Sequence, residues 1–296
     1  MSSTDHDLRS IWAHLDNVAF TQGYVDAGGI KTRYVNAGPK DAPVVIMIHG
    51  MGGTWENFIG KFPALAQHFN TFAFDLVGHG YSEKPDRVHD VNAYVAQLKG
   101  FIDAFGFDKV SLMGLSIGGW TSTKFTITYP ELVEKNLVMS AWGRPRGAIT
   151  PEMQKNGEAI LADRLKAVDD PSFEAMDKVF SELIADPKDR MTDFLTLRLR
   201  VYQQEGMPEV MRNVFAGIKP GGYDRNKLDD DALKSVSRPT MVIATPDFPD
   251  LFLQNAREYK ALVPDLQWKE VFGASHWPQW EVSDQVNEIA VEFFQS

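Results

Sequence analysis

The 296-residue chain alternates between two rhythms of apolar and polar positions. Short runs, some alternating and some wholly apolar, read as strands. Longer stretches with apolar residues every three or four positions read as helices. Residues 19–36 predict two strands joined at Ala27-Gly28-Gly29, a turn signal. Residues 44–48 are a β-branched-rich buried strand ending in His49-Gly50. Residues 71–74 form a further strand, followed by Asp75-Leu76-Val77-Gly78-His79-Gly80. Between 92 and 105, Val95, Leu98, Ile102 and Phe105 recur at helical spacing. A strand at 109–113, a helix at 118–129 that stops at Pro130 and a strand at 136–139 follow. This alternation predicts an α/β fold, a mostly parallel central sheet with helices on both faces.

The rhythm changes at residue 144. Up to about 236 the chain reads as successive helices punctuated by Pro151, Pro171, Pro187, Pro208 and Pro220. Strand-like runs return at 240–244 and 267–272, with helical patterns at 251–262 and 283–294. The simplest organisation is a core formed by 19–143 and 237–296, with a helical lid, 144–236, inserted between them. A separate all-helical domain would leave the final strands without a sheet. Residues 1–18 form an N-terminal extension with no assigned role. No repeat or low-complexity tract is visible.

Composition narrows the function classes. A net charge of −10 argues against broad nucleic-acid binding, and an anionic substrate would need a local arginine to be held against that field. No apolar run reaches membrane-spanning length, and the polar, acidic start lacks the features of a signal peptide. The absence of cysteine excludes disulfides, thiolate metal sites and a cysteine nucleophile. A cytoplasmic protein is expected.

The chemistry starts at Ser116. Residues 111–119 read Ser-Leu-Met-Gly-Leu-Ser-Ile-Gly-Gly, a G-x-S-x-G pattern between a buried strand and a helix. A serine on such a sharp turn is thrust out above the sheet edge. Its hydroxyl needs a base within hydrogen-bond reach. His276, in the loop after the last strand, can come over the same edge. His6, His14, His68 and His89 sit in polar or helical surroundings and are expected to be exposed. His79 fits a structural hydrogen bond, and His49 is expected to brace the loop after it. A tetrahedral intermediate needs fixed N–H donors for its oxyanion. Ile117 is the natural first donor, and Met51 or Gly52, in Gly50-Met51-Gly52-Gly53, the second.

Together these residues resemble the α/β-hydrolase superfamily, and more narrowly the meta-cleavage product hydrolases, which split carbon–carbon bonds in 2-hydroxy-6-oxo-dienoates. Ser275-His276-Trp277-Pro278-Gln279-Trp280-Glu281 is similar to that family's G-H-W-x-Q-x-E. The runs 27–34 and 75–82 match as well. The resemblance implies a small anionic dienoate substrate, no metal or organic cofactor, and a homo-oligomer. It implies Trp277, Asn57 and Leu115 at the substrate, with a lid arginine holding the carboxylate: Arg198, or Arg200 if the register slips. Leu115 stands where the family often has asparagine, and the loop after His49-Gly50 is shorter. In 239–248 Phe248 aligns with the triad aspartate. Asp247 is the preferred acid and Asp250 the alternative, with a dyad or another acid left open. Residues 140–144, the other acid position of the superfamily, hold no carboxylate. A carboxylesterase or lactonase would need the same serine and histidine without the arginine. A non-catalytic ligand receptor would fit the loss of the acid.

Overall fold

The computed structural model describes residues 9–145, 151–248 and 250–296. The chain runs through β1 (Phe20–Asp26), β2 (Lys31–Ala37), β3 (Val44–Ile48), α1 (Phe62–Leu65) and β4 (Asn70–Phe74). Then come α2 (Val91–Phe105), β5 (Val110–Leu115), α3 (Ile117–Thr128) and β6 (Val133–Met139). The helices α4 (Pro151–Asp169), α5 (Phe173–Ser181) and α6 (Thr192–Tyr202) follow. After them come α7 (Met207–Gly217), α8 (Gly222–Asn226) and α9 (Asp230–Lys234). The final elements are β7 (Thr240–Ala244), α10 (Leu251–Leu262), β8 (Gln267–Glu270), α11 (Pro278–Glu281) and α12 (Ser283–Gln295).

The eight strands form one sheet in the order β1-β2-β4-β3-β5-β6-β7-β8. β1 and β4 pair antiparallel with β2, and every pairing from β4 to β8 is parallel. Strand parity then splits the core. On β3, Val45 and Met47 pack on one side with Trp55, Phe58 and Phe62, while Ile46 and Ile48 pack on the other with Leu98 and Phe101. Asp90 caps α2 by accepting from Asn92 N and Ala93 N, and Gly106, at φ 69°, ends it. The parallel strands place their C-terminal ends, and the loops that follow them, along one edge of the sheet. That edge is where ligands bind in open α/β sheets.

Three expectations need correction. The last strand stops at Glu270, because Gly273 takes φ 80° and Phe272 turns out to solvent. His89 is buried, not exposed: its ring lies under Gly78 and its backbone against Gly217 of α7. The extension also has a structural place. A 3-10 turn, Ile11–Leu15, buries Ile11 and Leu15, and Ile11 N donates to Asp193 Oδ2 of α6 at 2.7 Å. Residues 1–8, His6 among them, lie outside the described residues. Among the described residues, no helix is long and apolar enough to cross a membrane.

Candidate active site

Ser116 joins β5 to α3 with φ 57° and ψ −117°, a backbone conformation side chains rarely adopt. Such strain costs about 1–3 kcal/mol and persists only where the surroundings enforce it. Here they do. A Cβ on Gly114 would collide with the Gly118 carbonyl, and one on Gly118 would collide with the Ile48 carbonyl. The G-x-S-x-G spacing is therefore what lets β5, β3 and α3 meet at this turn. Ser116 N donates to Met139 O at 2.9 Å, and Ser116 O accepts from Trp120 N at 3.1 Å and Trp142 N at 3.3 Å. The side chain is almost wholly buried.

Gly50 lies directly beside it: a Cβ there would sit 3.3 Å from Ser116 Cβ. The loop turns through Gly53 N donating to Gly50 O at 2.9 Å, with Gly52 at φ 70°. His49 holds this turn, as its position suggested. The Gly50 carbonyl, 2.7 Å from Nδ1, can only accept, so Nδ1 carries the proton. Nε2 accepts from Leu76 N at 3.0 Å. One neutral tautomer satisfies both bonds, and burial pushes the imidazole down to about 3. Asp75 braces the same region, accepting from Trp55 N at 2.8 Å and Tyr81 N at 2.9 Å and facing Arg33 at 3.3 Å. Asn57 Oδ1 accepts from Thr54 N at 2.8 Å, which leaves its buried Nδ2 without a partner. Ile117, with its N–H at the start of α3, is buried next to the serine, and Met51 is half-buried on the opposing loop.

His276 reaches the same edge from the loop after β8. Glu281 of α11 fixes that loop, its Oε2 accepting from Ser275 N at 2.8 Å and Trp277 N at 3.3 Å. Its Oε1 accepts from Ala185 N at 2.9 Å, and Ser275 Oγ lies 3.0 Å from Leu183 O. The histidine loop is thus tied to the turn after α5. Burial, with Arg164 adding a smaller effect, pushes the His276 imidazole down to about 3.

Among the described residues, no carboxylate is hydrogen-bonded to this imidazole, and Asp247 and Asp250 are engaged elsewhere. Asp247 is exposed, and its Oδ2 accepts from Gly273 N at 2.7 Å. Asp250 is the N-cap of α10, accepting from Phe252 N at 2.9 Å and Leu253 N at 3.0 Å. Both carboxylates are taken up by backbone N–H groups, and the buried Nδ1 of His276 has no partner. The neighbour it does have is aromatic: the Phe252 ring lies 4.1 Å from the imidazole, centroid to centroid, tilted by 43°. Phe248, at the aligned acid position, is half-buried with its N–H on Thr245 O at 3.3 Å. Trp142 links the two halves, its N–H on Ser116 O and its ring 5.7 Å from Phe252.

Above the glycine loop after β3 stands α6. Its register turns Arg198 inward and leaves Arg200 exposed. A Cβ on Gly52 would meet Tyr202 Oη at 2.8 Å and Arg198 Nη1 at 3.1 Å, so the guanidinium lies over the loop beside Ser116. Nη1 is buried without a hydrogen-bond partner, and burial lowers the arginine below its ordinary pKa, with Tyr202 acting the other way. The ring of Phe180 lies 5.2 Å beneath the charge. Trp277 packs against Phe180 and Phe194 at 5.4 and 5.8 Å. Leu115 is buried at the end of β5, where it offers no polar atom. Tyr202 and Phe252 carry no motif that would have singled them out, although Tyr202 lies one helical turn from Arg198. Among the described residues, no three metal-ligating side chains come together.

A strained serine after a parallel strand, an opposing glycine loop and a late histidine define a class. The profile of the alpha/beta hydrolase fold family matches residues 43–282, and the chain belongs to that family. Two relatives are similar over most of its length. The 2-hydroxy-6-oxo-2,4-heptadienoate hydrolase of Pseudomonas putida is 29% identical, covering 86% of this chain and 89% of its own. The 2-hydroxy-6-oxo-6-(2'-aminophenyl)hexa-2,4-dienoic acid hydrolase of Metapseudomonas resinovorans is 28% identical, covering 93% and 91%. The fold is shared with the 2-hydroxy-6-oxo-6-phenylhexa-2,4-dienoate hydrolase of a Rhodococcus species. That structure superposes with a TM-score of 0.83 over 95% of this chain and 100% of the other, at 22% identity.

Proposed function

We propose that this protein is a serine hydrolase that cleaves a carbon–carbon bond in a 2-hydroxy-6-oxo-dienoate. The observation that carries the reading is Arg198, a buried guanidinium over the oxyanion loop with an unpartnered Nη1. A buried unpaired cation is costly to the folded chain and becomes favourable when an anion arrives. The substrate carboxylate fills that role, and the relatives' named substrates carry one.

With the carboxylate on Arg198, the dienol chain extends past Ser116 under Trp277. Asn57 and Leu115 line the same space. His276 moves the proton that converts the dienol to its keto form. Ser116 then gives its proton to His276, and its oxygen attacks the remote ketone. The carbonyl electron pair moves to oxygen, where the N–H groups of Ile117 and of Met51 or Gly52 stabilise it. Collapse breaks the carbon–carbon bond. The released carbanion takes a proton and leaves as 2-hydroxypentadienoate. Water hydrolyses the acyl-serine to a carboxylic acid. The helices between β6 and β7 act as a lid that keeps bulk water out until then. The reaction takes place in the cytoplasm, in keeping with the cysteine-free composition.

The test pairs native protein and Ser116→Ala with a dienoate chromophore and a panel of p-nitrophenyl esters. Bleaching of the dienoate that requires Ser116 is expected. Ester turnover alone would move the assignment to a carboxylesterase, and silence on both substrates would move it to a ligand receptor.

A further inference from the structure

We infer that Phe252 is the positioning residue of His276: its ring face does for the imidazolium what a carboxylate does in a triad, and Ser116 and His276 work as a dyad on that face. This rests on the reading of Ser116 as nucleophile and His276 as base.

Three observations support the assignment. The two rings lie 4.1 Å apart at a 43° tilt, within the range in which a cation is attracted to an aromatic face. The buried Nδ1 has no hydrogen-bond partner, so no acceptor fixes the ring from that side. The two carboxylates of the neighbouring loop are held by Gly273 N and by the first turn of α10. Phe252 is itself held firmly. Asp250 caps its helix, Asn255 Nδ2 donates to Ala141 O at 2.9 Å, and Trp142 packs edge-on at 5.7 Å.

The charged groups around the imidazole make its protonation hard. Arg164 of α4, paired with Glu182 at 2.8 Å, is a cation whose field acts on the imidazole. Glu281 of α11 spends its carboxylate on backbone N–H groups. When Ser116 passes its proton to Nε2, the imidazolium forms in a site that burial has made hostile to it. An electron-rich face at this distance is the compensating interaction. It also restricts rotation of the ring, so that Nε2 keeps its aim.

A fluorophosphonate that phosphonylates Ser116 tests this without a dienoate, because displacement of fluoride needs the same proton transfer. The rate of labelling and the inhibitor's binding constant are measured from pH 5 to 9 for the native protein and for variants at 252. Pentafluorophenylalanine at 252 keeps the ring's shape but inverts its quadrupole, and Phe252→Trp strengthens it. The inverted ring is expected to slow labelling about tenfold at unchanged binding, a loss of the size a desolvated cation–π contact provides. Phe252→Trp is expected to keep or raise the rate, and Asp247→Asn and Asp250→Asn to lower it by less than the inverted ring. Equal rates for native and inverted rings would overturn the assignment, as would a larger loss in either aspartate variant. A protein that is labelled as expected yet ignores dienoates would retain the dyad and lose only the proposed substrate.

Discussion

The two halves of this site are held by different forces. Around Ser116 the constraint is steric and polar: Gly114 and Gly118 admit the close approach, and His49 and Asp75 tie the loops with directed hydrogen bonds. Around His276 the backbone is tied by Glu281, but the imidazole itself meets an aromatic face and no acceptor. Ser116 is fixed by geometry that hardly any substitution could preserve. His276 sits in surroundings that could drift, and its Nδ1 meets no carboxylate among the described residues. One site thus joins a rigid side, set by sterics, to a softer side set by ring contacts.

Substitutions that strike the rigid half should have the largest effects. Ser116→Ala should lower dienoate turnover by about 10⁴-fold or more, since nucleophile removal costs that order in serine hydrolases. Ser116→Gly should be equally inactive yet melt higher, because glycine relieves about 1 kcal/mol or more of backbone strain at φ 57°. Gly118→Ala should cost about 3 kcal/mol or more, measured by urea unfolding, as its Cβ would overlap the Ile48 carbonyl. A well-folded, active Gly118→Ala protein would show that the turn is softer than its geometry implies.

Arg198 comes next. Arg198→Met should reduce kcat/KM for an anionic dienoate by about 100-fold, the scale of a lost buried ion pair of roughly 3 kcal/mol. Neutral esters should be turned over as before. Folding stability should not fall, because a buried unpaired charge is removed. Equal losses on both substrate classes would place Arg198 in support of the fold instead.

Acid sensitivity follows from the buried histidines. His49 and His276 are pushed by burial from 6.5 to about 3, so the unfolded chain binds more protons than the folded one between those values. Their contribution to stability is complete above about pH 6.5 and is lost as pH falls toward 3. Unfolding midpoints in urea should therefore drop steadily from pH 7 to pH 4. In His49→Gln, whose amide can donate to Gly50 O and accept from Leu76 N, the slope should be shallower. The smallest effect concerns Asp250: Ala should cost about 1 kcal/mol through the lost helix cap, and Asn almost nothing. A triad acid would instead lose most of its activity as Asn.

Much of this was legible in the chain. The strand and helix pattern placed the sheet, because side-chain alternation follows directly from backbone geometry. Ser116 and the loop from Gly50 were readable because close packing at that turn excludes every residue but glycine at the flanking positions. His276 was readable from its place after the last strand. Arg198 and Arg200 could not be separated, since only the exact start of α6 at Thr192 decides which of them faces inward. His89 looked solvated because its sequence neighbours are polar, yet α7 and Gly78 close over it. Phe252 gave no signal at all: an aromatic on an amphipathic helix reads as core wherever it falls.

The sequence by itself determined the family and placed Ser116 on its turn and His276 in the loop after the last strand, because those depend on short-range sterics and chain order. Only the tertiary structure decided what stands behind His276. Asp247, Asp250 and Phe252 lie within six positions of one another, and nothing local ranks them. Their fates are set by partners distant in the chain: Gly273 draws Asp247 away, and the docking of α10 on Ala141 brings Phe252 to His276.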